Sequence, residues 1–266
     1  MIEYFLRHYE AFAERIVIYD DDSDDGSKEI LLAHNKVEVR QFVRSDHDSL
    51  ELSRIATFNH CWKEARGTAD WVIIVDCDEF VFHPRIDEYF ATQKHNGVTI
   101  IPTLGFQMVT DQFPGEGEYL AKSHTRGCPF DRRNKPCVFD PSAIREINFS
   151  VGMHSAQPVG LQSLPPKDEL MLLHYKYLGV DYLCCRHLEL SSRRGSVEKA
   201  NQWSSHWENT AEQLRGAFDS YKARSVDISA PGFSPGVLHA VPPWRKDASS
   251  PTRFPAFRRF LRRIFE

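Results

Sequence analysis

Trp71-Val72-Ile73-Ile74-Val75-Asp76-Cys77-Asp78-Glu79-Phe80 decides the fold class of this chain. Its first five residues are apolar without alternation, the pattern of a strand buried on both faces. Three acids follow within four positions. Side chains two apart on a strand point the same way, so Asp76 and Asp78 are expected side by side. Two carboxylates held together repel unless a cation stands between them. Strands buried on both faces belong to parallel sheets covered by helices, and ligands of such sheets sit beyond the carboxyl ends of the strands.

Toward the N-terminus, Arg15-Ile16-Val17-Ile18-Tyr19-Asp20 reads as a short buried strand and residues 37–42 as another. Helical spacing at Ile2, Phe5, Leu6, Tyr9 and Phe12 opens the chain inside a helix. Further helices are predicted at 28–34 and at 49–65, the latter with Leu52, Ile55, Phe58 and Trp62 on one face. This alternation predicts an α/β fold with a Rossmann-like, mostly parallel central sheet flanked by helices. A second acidic cluster, Asp20-Asp21-Asp22-Ser23-Asp24-Asp25-Gly26-Ser27, also closes a strand. Gly26 supplies a turn there, and Asp25 or Ser27 a helix cap. An Asp in this place can accept a hydrogen bond from a pyrimidine N–H or a ribose hydroxyl.

Toward the C-terminus, strands are expected at 98–102 and 106–110. Residues 111–170, rich in Gly, Pro and charge, read as loops over the active face. A strand or helix start falls at 170–177 and a helix at 197–224, making a helical C-terminal extension. Residues 226–266 read as a proline-rich tail ending in a basic amphipathic helix. There Phe254, Phe257, Leu261 and Ile264 alternate with Arg258, Arg259, Arg262 and Arg263, and such a segment can lie peripherally on an anionic membrane surface. No internal repeat is present.

The 266 residues are 41% hydrophobic, enough to bury a sizeable core. No apolar run approaches the roughly 20 residues that cross a bilayer. Charges interrupt the first residues too soon for a signal peptide. The six Cys form no CxxC pair, so a reduced, cytoplasmic protein is the expectation. The net charge is −4, yet residues 245–266 hold seven Lys/Arg against two Asp/Glu. The acidic remainder argues against nucleic acid as a partner and suits a site that gathers a divalent cation.

Hard carboxylate oxygens at Asp76 and Asp78 suit Mg²⁺ or Mn²⁺ and leave positions open for phosphate oxygens. A cation there would neutralise charge on a departing nucleoside diphosphate. Glu79 would bind through water or orient its neighbours. Lys135 is a candidate for the diphosphate. Deprotonating an acceptor hydroxyl needs a carboxylate: Asp111 is assigned to it, with Glu116 and Asp140 open. Trp203 and Trp207, four apart on a helix, are either an acceptor-stacking pair or core.

Asp20 to Ser27 resembles the Asp-x-x-Ser-x-Asp-Gly-Thr loop of family 2-type glycosyltransferases with the GT-A fold. Asp76-Cys77-Asp78-Glu79-Phe80 resembles their Asp-x-Asp motif in an Asp-x-Asp-Glu-Phe form. The segment from Arg54 to Asn59 resembles the helix from which an Arg or Asn approaches the nucleotide. The resemblance spans residues 1 to about 180. It implies metal-dependent transfer, with inversion, from a nucleotide sugar to a glycan, lipid-linked or other hydroxyl acceptor. Asp20, Asp21 and Asp25 would then lie on the nucleotide side, and Asn59 at the ribose or diphosphate. Asp76 and Asp78 would face the metal, with His174 as a third contact; His154 is a weaker candidate. The domain would divide into a nucleotide half (1–110) and an acceptor half (111–225). Family members begin with a strand ending in Asn-Glu, so the resemblance also implies that one strand and part of the pocket are missing here. Two other classes share part of the pattern: a metal-dependent phosphohydrolase, and a non-catalytic carbohydrate-binding relative.

Overall fold

A computed structural model describes residues 1–246. The basic segment at 254–265 therefore lies outside the described residues. Helix α1 (Ile2–Tyr9) buries Tyr4, Phe5, Leu6, His8 and Tyr9. Strand β1 (Ile16–Asp20) leads through Gly26, at φ +82°, into helix α2 (Ser27–Leu32), and β2 (Val37–Gln41) returns parallel to β1. Only glycine adopts that φ without strain, so Gly26 fixes where the acidic loop ends. Ser49 caps α3 (Leu50–Phe58) by accepting from Leu52 N–H at 3.1 Å, and a 3₁₀ turn at Cys61–Ala65 follows.

Strand β3 (Val72–Ile73) is short, and after the acidic stretch the chain forms β4 (Glu79–Phe82) and helix α4 (Ile86–His95). The longest strand, β5 (Ile100–Thr110), is buried up to its last residue. Helix α5 (Leu120–Ser123), β6 (Arg126–Pro129), a 3₁₀ turn at Asp131–Arg133 and β7 (Lys135–Phe139) follow. A small pair, β8 (Ile144–Glu146) and β9 (Val159–Gly160), precedes the wholly buried β10 (Met171–Leu178). Helices α6 (Val180–Ser192), α7 (Ser196–Ala200) and α8 (Ala211–Ala223) and the edge strand β11 (Val226–Asp227) complete the order.

The large sheet runs β11-β6-β5-β10-β4, with β7 also on β5 and β3 on β7. The α/β class stands. The mostly parallel sheet does not: among the described residues only β1–β2 and β5–β10 are parallel, and six pairings are antiparallel. Apolar runs report burial but not strand direction, and the short strands β6 and β7 lie where loops were expected. The two strands expected at 98–110 are one, β5, with Pro102 absorbed by a register shift between Ile101 and Thr103. Pro has no N–H to give a ladder, and the shift is where that is accommodated. The helix expected at 197–224 is broken into α7, a 3₁₀ turn and α8, and α6 precedes it.

One apolar core runs from Tyr4 and Phe5 through Phe80, Phe106 and Phe139 to Ile228 and Trp244. The part of the tail up to Trp244 therefore packs on the body. Trp71 to Val75 departs from the expected two-sided burial: only Ile74 is buried. The edges of β1 and β3 that carry no partner strand border one cleft of about 1580 Å³, lined without a break by residues 12–21 and 70–78.

Phe80 has no exposed surface and stacks on His8 at 4.8 Å, with Tyr175 at 4.9 Å. Phe80→Ala is expected to cost about 3–5 kcal/mol of unfolding free energy in denaturant titration. A loss under about 1 kcal/mol would contradict this packing.

Candidate functional site

Asp76 to Glu79 is a reverse turn rather than a strand end: Glu79 N–H donates to Asp76 C=O at 3.0 Å. The side chain of Glu79 closes the same turn, its Oε2 accepting from Asp76 N–H at 3.2 Å. Its Oε1 receives Lys135 Nζ at 2.6 Å. Helix α1 reaches in as well, with Tyr9 donating to Glu79 C=O at 2.9 Å and accepting from Val81 N–H at 3.0 Å. Tyr175 N–H donates to Asp78 C=O at 2.7 Å and joins the turn to β10. The turn is thus fixed from three sides, and Asp76, Cys77 and Asp78 line the cleft.

His174 Nε2 stands 3.4 Å from Asp78 Oδ2. Its Nδ1 donates to Gln107 Oε1 at 2.5 Å, so Nδ1 keeps its proton and Nε2 is the nitrogen that can give one up to a cation. Burial and Arg133 push the imidazole below its ordinary range against the pull of Asp78. Burial alone would raise the Asp78 carboxyl, but His174, Arg133 and Lys176 hold it well below the usual range. Asp76 is likewise lowered: burial opposes, and Arg54 and Lys135 outweigh it. An ionised carboxylate and an imidazole nitrogen that can shed its proton as a cation enters form a two-donor set, and Gln107 orients the imidazole from behind. Among the described residues, no three His, Cys, Asp or Glu are grouped closely enough to hold a metal by themselves. Cations bound together with phosphate oxygens are commonly held by one or two protein carboxylates, and this pair fits that arrangement.

Several expected residues meet in the cleft: Asp20, Asp21, Asp25, Asp76, Asp78, His154, His174 and Trp203 all line it. Asp20 accepts from Ser23 N–H, Asp25 from Ser27 N–H, and Asp21 pairs with Arg44 at 2.7 Å. Others stand elsewhere. Glu79 and Lys135 are sealed below the turn, with 0% and 1% of their side-chain surface exposed. Asn59 ends α3 and is held by Phe149, accepting from its N–H at 2.7 Å. Asp111 is an exposed partner of Lys222, and Asp140 binds Lys94 at 2.8 Å. Neither of these, nor Glu116, lines the cleft. Trp207 lines the cleft as well as Trp203 and is the more buried of the pair.

Sequence reasoning gave no separate role to three cleft residues. Arg54 bonds Asp76 and reaches Glu51 at 3.2 Å. Lys176 is 6% exposed, and burial with Arg133 pulls its ammonium down to about 8. Arg133 lies at the end of the 3₁₀ turn before β7. Alternation offered a signal for Lys176, which is two residues from His174 on one strand.

Among known proteins, residues 1–224 match the family model of glycosyltransferase family 92. A glycosyltransferase family 92 protein of Oryza sativa subsp. japonica is 33% identical over 185 residues, 66% of this chain and 30% of that protein. The chain therefore spans well under half the length of the relative it matches.

Breaking a buried ion pair from one side strands a charge, whereas removing both partners does not. Lys135→Met or Glu79→Gln alone is expected to lose about 3–5 kcal/mol of stability, and the double variant clearly less than the two losses added. Strict additivity in a denaturation cycle would show that the pair does not couple.

Proposed function

The chain belongs to glycosyltransferase family 92, and from that membership we propose that it transfers a glycosyl group from a nucleotide sugar, uridine-linked, to a hydroxyl acceptor. The proposal includes a divalent cation, Mn²⁺ or Mg²⁺, held by Asp78 and His174 beside Asp76. The observation that carries it is the facing pair of Asp78 Oδ2 and His174 Nε2 at 3.4 Å, with Gln107 fixing the imidazole proton on the far nitrogen. Bound there, the cation would neutralise the charge that gathers on a departing diphosphate.

The chain's own residues prepare the rest. Arg54 holds Asp76 on the rim of the cleft. Asp20, Asp21 and Asp25 line the same cleft beyond β1, where a nucleobase or ribose hydroxyl can be met by a carboxylate. Trp203, which lines the cleft, is the aromatic available to a sugar ring. A GT-A type arrangement is supported by the order of the acidic loop, α3 and the acidic turn, and inversion rests on the family 2-type resemblance alone. A glycan or lipid-linked acceptor rests on that resemblance too.

Calorimetric titration with uridine diphosphate tests the reading. Binding is expected to tighten with Mn²⁺ or Mg²⁺, to weaken at least about tenfold in chelator, and to lose that metal-dependent gain in Asp78→Asn. Equal binding by both proteins, with or without the metal, would contradict the assignment.

A further inference from the structure

Lys176 is the odd charge in the cleft. It lines the cleft together with His174, two residues before it on β10, and only 6% of it is exposed. Among the described residues its ammonium has no hydrogen bond and no carboxylate within ion-pair distance; Asp78 acts on it only through space and is paired with His174. A buried ammonium without a partner is costly and calls for an anion.

Arg133 is only loosely held. It lines the cleft, and its one ion-pair partner is Glu79 Oε1 at 3.9 Å, an oxygen that Lys135 approaches more closely at 2.6 Å. Its position is built into the sheet. The turn at Asp131–Arg133 lies directly on Gly105 of β5, where an added Cβ would come within 2.4 Å of Arg133 Cβ. Phe130 N–H donates to Gly105 C=O at 2.9 Å, and Gly105 N–H donates to Asn134 Oδ1 at 2.8 Å. Glycine at 105 is thus what lets the turn lie this close and carry Arg133 over the cleft.

We infer that Arg133 and Lys176 form a phosphate-binding wall of the cleft, which takes the oxygens of a diphosphate by direct contact and without a metal ion. A planar guanidinium fork and a point-charge ammonium side by side suit two linked phosphates, each with several acceptor oxygens. Lys135, the sequence candidate for this role, is sealed against Glu79. The identity of the ligand as the diphosphate of a donor rests on the proposed function; the anion site itself does not.

The test is calorimetry of the full chain with inorganic pyrophosphate in chelator. Wild type is expected to bind, and Lys176→Met and Arg133→Met each to weaken binding about tenfold or more, the loss of one charge-assisted contact. Asp78→Asn is expected to bind pyrophosphate at least as well as wild type, since it removes a neighbouring negative charge. Lys176→Met is also expected to melt no lower than wild type, because it removes an unpaired buried charge; Arg133→Met, at a half-buried position, gives the second reading. No pyrophosphate binding by wild type in chelator, or equal binding by wild type and both Met variants, overturns the inference. Metal-dependent binding of uridine diphosphate that neither Met variant alters would leave the proposed function standing and remove this wall. Pyrophosphate binding lost in both Met variants, in a chain that takes no nucleotide with metal, would do the reverse.

Discussion

Lys135 and Glu79 meet at 2.6 Å with almost none of their side-chain surface exposed, and the acidic turn is built on that contact. Two buried charges are tolerated only when geometry and further hydrogen bonds compensate their desolvation. Glu79 meets that condition in part: its second oxygen accepts from Asp76 N–H, while Oε1 faces Lys135 as an ion pair without a hydrogen bond, so one side chain serves both the pair and the turn. The pair also joins β7 to β4, two strands that do not pair with each other. Asp78 is thereby presented to His174 on β10, and Asp76 to Arg54 on α3. The acid that looked like a metal ligand is the internal brace of the residues that face the cleft.

The sequence located the acidic turn and the acidic loop, and both line one cleft. The resemblance reached the glycosyltransferase class, and the family that matches is 92 rather than family 2. Glu79 and Lys135 were misplaced for a physical reason. A carboxylate next to two others gives no sign in sequence of pointing inward, and the lysine that neutralises it is 56 residues away. Asn59 was overtaken by Arg54, five residues earlier on α3, because the amide is spent on the backbone of Phe149. Strand direction was illegible for a related reason: β7 is buried throughout, but its partners β3 and β5 come from distant segments.

The half-buried state of Val72, Ile73 and Val75 has the same origin as the cleft. Residues this apolar are normally covered on both faces in a sheet centre. Here β1 and β3 each pair on one side and leave the other toward the shared opening. Carboxylates and cations then collect at the end of that opening, with Asp76 and Asp78 opposed to Arg54, Arg133 and Lys176, and the local field is strong although the whole chain carries only −4. In a partly enclosed space such charges act on a ligand far more than they would on an open surface.

The most direct test is a crystal of the protein grown with Mn²⁺ and uridine diphosphate, read by anomalous scattering from the metal. The account predicts one manganese peak in coordinating contact with Asp78 and His174, with diphosphate oxygens completing its shell. A peak at other residues with the acidic turn left bare, or nucleotide bound away from the cleft, would contradict it.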